Sequence, residues 1–352
     1  MATVESQPVQ QRAATPVIRA LRGGAAGASP RLVWAIYGAG MLLLALLLLL
    51  VKPDEYWLNI IILAYVFAGL ASAWNIIGGF GGQLSLGHGV YFAVGAYTVG
   101  IAFTRWHWSP WLSALLAIPI ACAVAALTSW PTFRLRGPFF AMATLALNQV
   151  ALVLALYFKG VTGGPTGVTI PFIPSFKDVA FVERWKYGVL ALVYVAVVVA
   201  VATGVSRSRL GYALRAVRED DEAAAAVGFN VFRTKMTGML LSAALTSVGG
   251  SIYAVYIRYL DPGSVFSLAD VGVRFVLICL LGGIGTLLGP VLGALVFIPA
   301  VTQLQAQLSG YRPGLNLVAV GLLLVLIPLA LRKGIVGTAA DLVRRGTRRW
   351  DR

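Results

Sequence analysis

Residues 271–301 read VGVRFVLICLLGGIGTLLGPVLGALVFIPAV, an apolar run interrupted by Gly282-Gly283-Ile284-Gly285 and by Gly289-Pro290. A helix needs about 20 residues to cross the hydrocarbon core of a bilayer. The run is therefore either one long helix or two shorter ones meeting at the glycines, and the choice sets the topology of the whole chain. Other runs of spanning length cover 33–51, 56–77, 86–104, 111–130, 139–157, 187–205, 236–256 and 315–331. One helix at 271–301 makes nine crossings and two helices make ten.

Charge parity separates the two. Lys and Arg concentrate at the cytoplasmic ends of membrane helices. The strongest internal cluster is Arg207, Arg209, Arg215, Arg218, Arg233 and Lys235. The tail holds Arg332, Lys333, Arg344, Arg345, Arg348, Arg349 and Arg352, and the leading arm is basic as well. Ten crossings put all three on one side; nine put the tail on the other. The expected fold is an all-α polytopic membrane protein of about ten transmembrane helices, some discontinuous, with both termini cytoplasmic. Residues 1–32 are then a disordered basic arm, 33–331 the transmembrane domain with a cytoplasmic loop at 206–235, and 332–352 a basic cytoplasmic tail.

Composition agrees. Of 352 residues 59% are hydrophobic and 12% charged, against roughly 25% charged in a soluble domain, and the mean hydropathy is +0.83. The net charge of +15 would suggest nucleic acid in a soluble protein. Under the ten-span topology the inside carries 19 Lys+Arg and 7 Asp+Glu, the outside 9 and 6. The imbalance is an orientation signal and no nucleic-acid partner is needed. The Arg-rich tail suits either anionic lipid headgroups or water.

No catalytic machinery is visible. The phosphate-binding pattern GxxxxGK[ST] is absent, as is HExxH; Cys122 and Cys279 sit in apolar runs without metal-ligand spacing. No catalytic residue, metal site or cofactor is expected. Ion-coupled carriers usually place acids or histidines inside the membrane; here Arg274 is the one charge near a span interior, and His88 lies near the inner end of a span.

Two segments carry the functional signal. Gly78, Gly79, Gly81, Gly82, Gly87 and Gly89 fall within twelve residues, a composition that disfavours uniform helix. Either a discontinuous helix lines a path here, with Gln83, Ser85, His88 and Tyr91 as path-lining candidates, or small residues allow close packing. Gly282, Gly283 and Gly285 echo Gly78, Gly79 and Gly81 as a second break, as two halves of an internal repeat would. The other segment, 206–235, contains Leu210, Leu214 and Val217 at helical spacing and the run Glu219-Asp220-Asp221-Glu222 before four alanines. Arg218 and Glu222 are spaced to pair at i, i+4, and Gly228 is a natural stop. A short amphipathic helix across the cytoplasmic face, around Arg209 to Gly228, is expected, as a docking element or as a plain connection.

The stretch Glu222-Ala223-Ala224-x-x-x-Gly228 resembles the EAA signature of ABC importer permeases, although the Leu-Pro end of the fuller pattern is missing. Its flanks Arg215-Ala216-Val217-Arg218-Glu219 and Asn230-Val231-Phe232-Arg233-Thr234-Lys235, together with Leu84-Ser85-Leu86-Gly87-His88-Gly89, Gly95-Ala96-Tyr97, Thr162-Gly163-Gly164 and Gly282-Gly283-Ile284-Gly285-Thr286-Leu287-Leu288-Gly289-Pro290, resemble the LivM-type permease of branched-chain amino acid importers. The resemblance covers about residues 55 to 331. It implies a bacterial plasma (inner) membrane protein that catalyses nothing itself, works with a second permease of LivH type, two cytoplasmic ATPase subunits and a periplasmic or lipid-anchored substrate-binding protein, and couples to the ATPases through Arg215, Arg218, Glu219, Glu222, Ala223, Ala224 and Gly228. Urea or short amides are the alternative cargo, and a carrier working alone is the alternative of another class.

Overall fold

The computed structural model describes residues 30–52 and 54–308, with Val318, 321–322 and 334–338 in addition. Most of the expected basic arm and tail, and nearly all of the expected span at 315–331, lie outside the described residues. The helices are α1 Pro30–Val51, α2 Glu55–Asn75, α3 His88–Trp106, α4 Pro110–Thr132, α5 Pro138–Tyr157, α6 Trp185–Arg207, α7 Arg209–Glu219, α8 Asp221–Ala226, α9 Val231–Ile257, α10 Arg274–Gly282 and α11 Gly289–Leu308. Two π-helical stretches adjoin them, Ile76–Phe80 after α2 and Leu268–Val273 before α10. Among the described residues seven helical segments are long and apolar enough to cross a membrane: Glu55–Phe80, α4, α5, α6, α9, Pro262–Gly282 and α11. Helix α1 contributes the shorter apolar stretch Tyr37–Val51, and α3 is not among the seven.

The run at 271–301 is two helices. Gly283 and Gly285 adopt φ of 122° and 77°, a region in which residues with a Cβ are strained, so the helix stops at Gly282. Gly289 restarts it: its N–H donates to the Thr286 hydroxyl at 3.1 Å, while that hydroxyl donates to the Gly283 carbonyl at 2.7 Å.

Helix α2 is the buried axis. It starts where the Asp54 carboxylate accepts the N–H groups of Tyr56 (2.9 Å) and Trp57 (3.2 Å), an N-cap that satisfies two otherwise orphaned donors. It packs against α6, α9, α10 and α11, and Tyr65, Trp74, Ile60 and Leu70 on it are fully buried. Helix α9 lies against α3 at backbone distance. A Cβ on Gly95 would sit 1.9 Å from the Ser247 carbonyl, and one on Gly250 would sit 2.1 Å from that of Phe92. With lipid as apolar as the side chains, such close approach is the main source of helix–helix attraction. Helices α4 and α5 have most of their surface uncovered.

The far end of the bundle departs from all-α. Strands β1 Val168–Thr169 and β2 Tyr259–Leu260 pair antiparallel. The Arg258 guanidinium donates to the Pro171 carbonyl (3.0 Å) and the Tyr187 hydroxyl (2.9 Å), holding the long connection between α5 and α6 down on the helices.

Candidate functional site

The first glycine cluster is a join between helices, not an interruption inside one. Helix α2 widens into the π turn Ile76–Phe80, irregular backbone follows to Gly87, and α3 begins at His88. The backbone here is buried through Gly81, and buried irregular backbone must find its hydrogen bonds locally. Gln83 N–H donates to Ile77 O at 3.1 Å. The Trp74 indole donates to Ser85 O at 2.8 Å, and Leu86 N–H donates to the Thr144 hydroxyl at 3.0 Å.

Of the residues expected to line a path, Gln83 and Ser85 lie in this join and His88 and Tyr91 in the first turn of α3. Ser85, His88 and Tyr91 are buried. The Ser242 hydroxyl donates to Ala73 O at 2.7 Å; with its one proton committed, it accepts from His88 Nε2–H at 2.8 Å. His88 Nδ1 then accepts from the Ser85 hydroxyl at 2.9 Å. Tyr91 meets Thr128 at 3.2 Å. In this chain these three side chains contact neighbouring helices. Gln83 is half-buried and lines a surface cleft of about 470 Å³ with Gly82, Arg136, Arg218, Glu222 and Lys235.

That cleft is roofed by the segment expected to be one helix. It is two. Asp220 is extended (φ −161°, ψ 120°) and its carboxylate accepts the N–H groups of Glu222 (2.7 Å) and Ala223 (3.0 Å), so it ends α7 and caps α8. Those two N–H bonds hold the Asp220 carboxyl below its ordinary value of 3.8. Leu214, Val217 and Ala213 of α7 are buried, as the helical spacing requires, and the Arg215 guanidinium donates to Ser206 O at 2.6 Å. The expected pairing of Arg218 with Glu222 does not form, because the bend removes the i, i+4 geometry. Glu222 instead meets Arg136 at 2.8 Å on the surface, and Arg218 donates to Gly79 O at 2.6 Å. Asp221 pairs with Lys235 at the root of α9, at 2.6 Å and largely buried. Ala224 is buried, whereas Glu219 and Ala223 are exposed. Gly228 follows α8 with φ 95°.

The second glycine break comes to the same place. Asn75, the last residue of α2, donates from Nδ2 to Thr286 O at 2.8 Å and accepts Gly285 N–H on Oδ1 at 2.9 Å. Gly79 and Gly285 are in backbone contact: a Cβ on Gly79 would lie 2.8 Å from Gly285 N. Both breaks and the α7–α8 element thus share one end of the bundle. Sequence reasoning found the glycines and the element. It missed Asn75, Arg136, Asp221 and Ser242, whose partners lie many residues away. Among the described residues, no group of three or more His, Cys, Asp or Glu is placed to hold a metal ion.

A buried axial helix, several apolar spans, and two glycine breaks gripped from a charged surface element define a polytopic membrane protein of the permease class. A family described as the branched-chain amino acid transport system / permease component matches residues 56–328, and the chain belongs to that family. It is 29% identical over 296 residues to the high-affinity branched-chain amino acid transport permease LivM of Escherichia coli (strain K12), covering 77% of this chain and 67% of the relative. It is 27% identical over 296 residues to LivM of Salmonella typhimurium, with the same coverage. It is also similar to LivH of Salmonella typhimurium, at 23% identity over 79% of this chain and 94% of that one. No solved structure gives a significant match.

Proposed function

We propose that the chain is a permease subunit of an ATP-driven importer of branched-chain amino acids in a bacterial inner membrane. It forms part of the translocation path with a second, LivH-type permease. Two cytoplasmic ATPase subunits supply the energy and a binding protein delivers the substrate. Ten spans with both termini cytoplasmic remain the topology that best fits the charge distribution, and the end carrying α7, α8 and both breaks is then the cytoplasmic one. The ATPases dock on α7 and α8, around Arg215, Arg218, Glu219, Glu222, Ala223, Ala224 and Gly228. Gln83, Ser85, His88 and Tyr91 flank the path at the first break and are exposed to it in another conformation of the cycle.

One observation carries this reading: Arg218, on the docking element, holds the carbonyl of Gly79 in the first break. A push on α7 therefore reaches α2 and α3 without an intervening flexible connection. No ATP-binding chemistry or metal is required of this chain; hydrolysis belongs to the partners.

Reconstitution with both ATPases, the second permease and the binding protein in liposomes tests it. Leucine, isoleucine or valine uptake should require ATP inside the docking compartment. Glu222→Ala should lower substrate-stimulated ATPase activity while membrane insertion persists. Unchanged coupling removes the docking assignment, preferential uptake of urea or a nucleoside removes the cargo assignment, and uptake by this chain alone establishes an independent carrier.

A further inference from the structure

The glycine breaks belong to helices more than 200 residues apart in sequence, yet one side chain joins them. Asn75 is 2% exposed. Its carboxamide uses both ends on the second break, Nδ2 on Thr286 O and Oδ1 on Gly285 N–H. The partners fix the orientation of the amide, since Thr286 O can only accept and Gly285 N–H can only donate. The glycines are what make this contact possible. A Cβ on Gly79 would sit 1.9 Å from Asn75 Oδ1, so any side chain there would displace the carboxamide. A Cβ on Gly285 would sit 2.9 Å from Arg218 Nη1, the atom that donates to Gly79 O. Arg218 therefore lies against both breaks at once, with its stem packed on Gly82.

We infer that Asn75 is a positioning residue that locks the two glycine breaks into one moving unit, and that Arg218 ties this unit to α7. The inference rests on the importer reading and adds its internal linkage. If one break moved alone, four polar groups would lose their partners: the two ends of the buried carboxamide, and the half-buried Thr286 O and Gly285 N–H. Burying unpaired polar groups is strongly disfavoured, so the low-energy motion carries both breaks together. The α2–α3 join and the α10–α11 join then respond to the docking element as a single lever.

The test uses the assembled complex in proteoliposomes, with spin labels at Leu84 and Ile284, one beside each break. In the wild type the inter-label distance should keep one narrow distribution with and without ATP. Asn75→Asp keeps the acceptor for Gly285 but loses the donor to Thr286. It should broaden that distribution and lower transport per ATP hydrolysed by about tenfold, the size of an ordinary coupling free energy between sites. Should Asn75→Asp fail to assemble, Arg218→Lys, altered at the surface, serves: the Leu84–Ile284 distance stays narrow, while movement of Leu84 relative to a label at Tyr212 is no longer driven by ATP. A wild-type transport ratio and unchanged distance width in Asn75→Asp, or undiminished ATP-driven movement in Arg218→Lys, overturns the linkage. Absence of ATP-driven uptake in the wild-type complex strikes the importer reading instead.

Discussion

Replacing Asp221 by Asn isolates the ion pair that fastens α8 to the root of α9. The Lys235 side chain is 4% exposed and the Asp221 side chain 24%, with Nζ and Oδ2 2.6 Å apart. Asn has nearly the shape of Asp, so the substitution removes charge and leaves volume. The ammonium then stays buried without a counter-ion. Breaking a buried pair from one side costs about 3–5 kcal/mol. Asp221 keeps partial contact with water, which places this case at the lower end, about 3 kcal/mol. Lys235→Met should cost less, about 1 kcal/mol, because the carboxylate left behind can turn toward water. The double variant Asp221→Asn/Lys235→Met removes both charges and should be more stable than Asp221→Asn alone. Thermal melting of the purified protein in detergent checks this. A loss near 3 kcal/mol lowers the midpoint by about 4 °C for a chain of this size. Additive effects in the double variant, or an Asp221→Asn midpoint indistinguishable from wild type, would refute the reasoning that an uncompensated buried cation is the source of the cost.

Three further outcomes follow from the same geometry. Asp220 has its carboxyl held low by the Ala223 and Glu222 N–H groups, so its cap is fully present above the ordinary value of 3.8 and is lost as pH falls through the lower folded value; the protection factors of the Glu222 and Ala223 amides, taken against their intrinsic exchange rates, should fall only in that acid range, and Asp220→Asn should flatten the dependence. Gly250→Leu drives side-chain atoms into the Phe92 backbone, 2.1 Å from the nearest Cβ position, and should destabilise by about 3 kcal/mol, abolishing a monodisperse peak in size-exclusion chromatography, whereas Gly204→Ala, with open space around it in the last turn of α6, should stabilise by at most about 0.5 kcal/mol. Gly228→Ala meets no neighbour but keeps φ at 95°, so its cost is backbone strain alone, about 1 kcal/mol, read as a small fall in melting midpoint with insertion intact.

The helices were legible because membrane burial demands continuous apolar length, a local property. Runs read at 111–130, 139–157 and 187–205 became α4, α5 and α6 with ends shifted by no more than two residues. The split of 271–301 was legible from charge parity, and the positive φ of Gly283 and Gly285 supplies its backbone cause. What failed was local regularity where a polar side chain found a better use. Helical spacing predicted that Arg218 would meet Glu222, but Asp220 gains two backbone N–H bonds by leaving the helix, and a single extended residue turns the two side chains apart. Asn75 was invisible for the opposite reason. It sits at the end of an apolar run beside Gly78 and Gly79, where nothing periodic marks it, and its partners are 210 and 211 residues away.

The acidic run at 219–222 stands directly before four alanines. Three of its four carboxylates have partners within the chain: Asp220 caps α8, Asp221 holds Lys235, and Glu222 holds Arg136 at the surface. Beside the exposed Glu219 and Glu222 the element also turns apolar side chains outward. Val227 is 79% exposed at its tip, beside exposed Phe229 and with Tyr212 exposed on α7. The ion pairs behind them keep the tip in shape. Under the proposed docking of the ATPases on α7 and α8, Val227 and Phe229 are the apolar side chains a partner's groove would cover, while the ionic groups fix the bend between the two helices. Under the same proposal a displacement of the element would pass inward through the Asp221–Lys235 pair to α9 and through Arg218 to the carbonyl of Gly79.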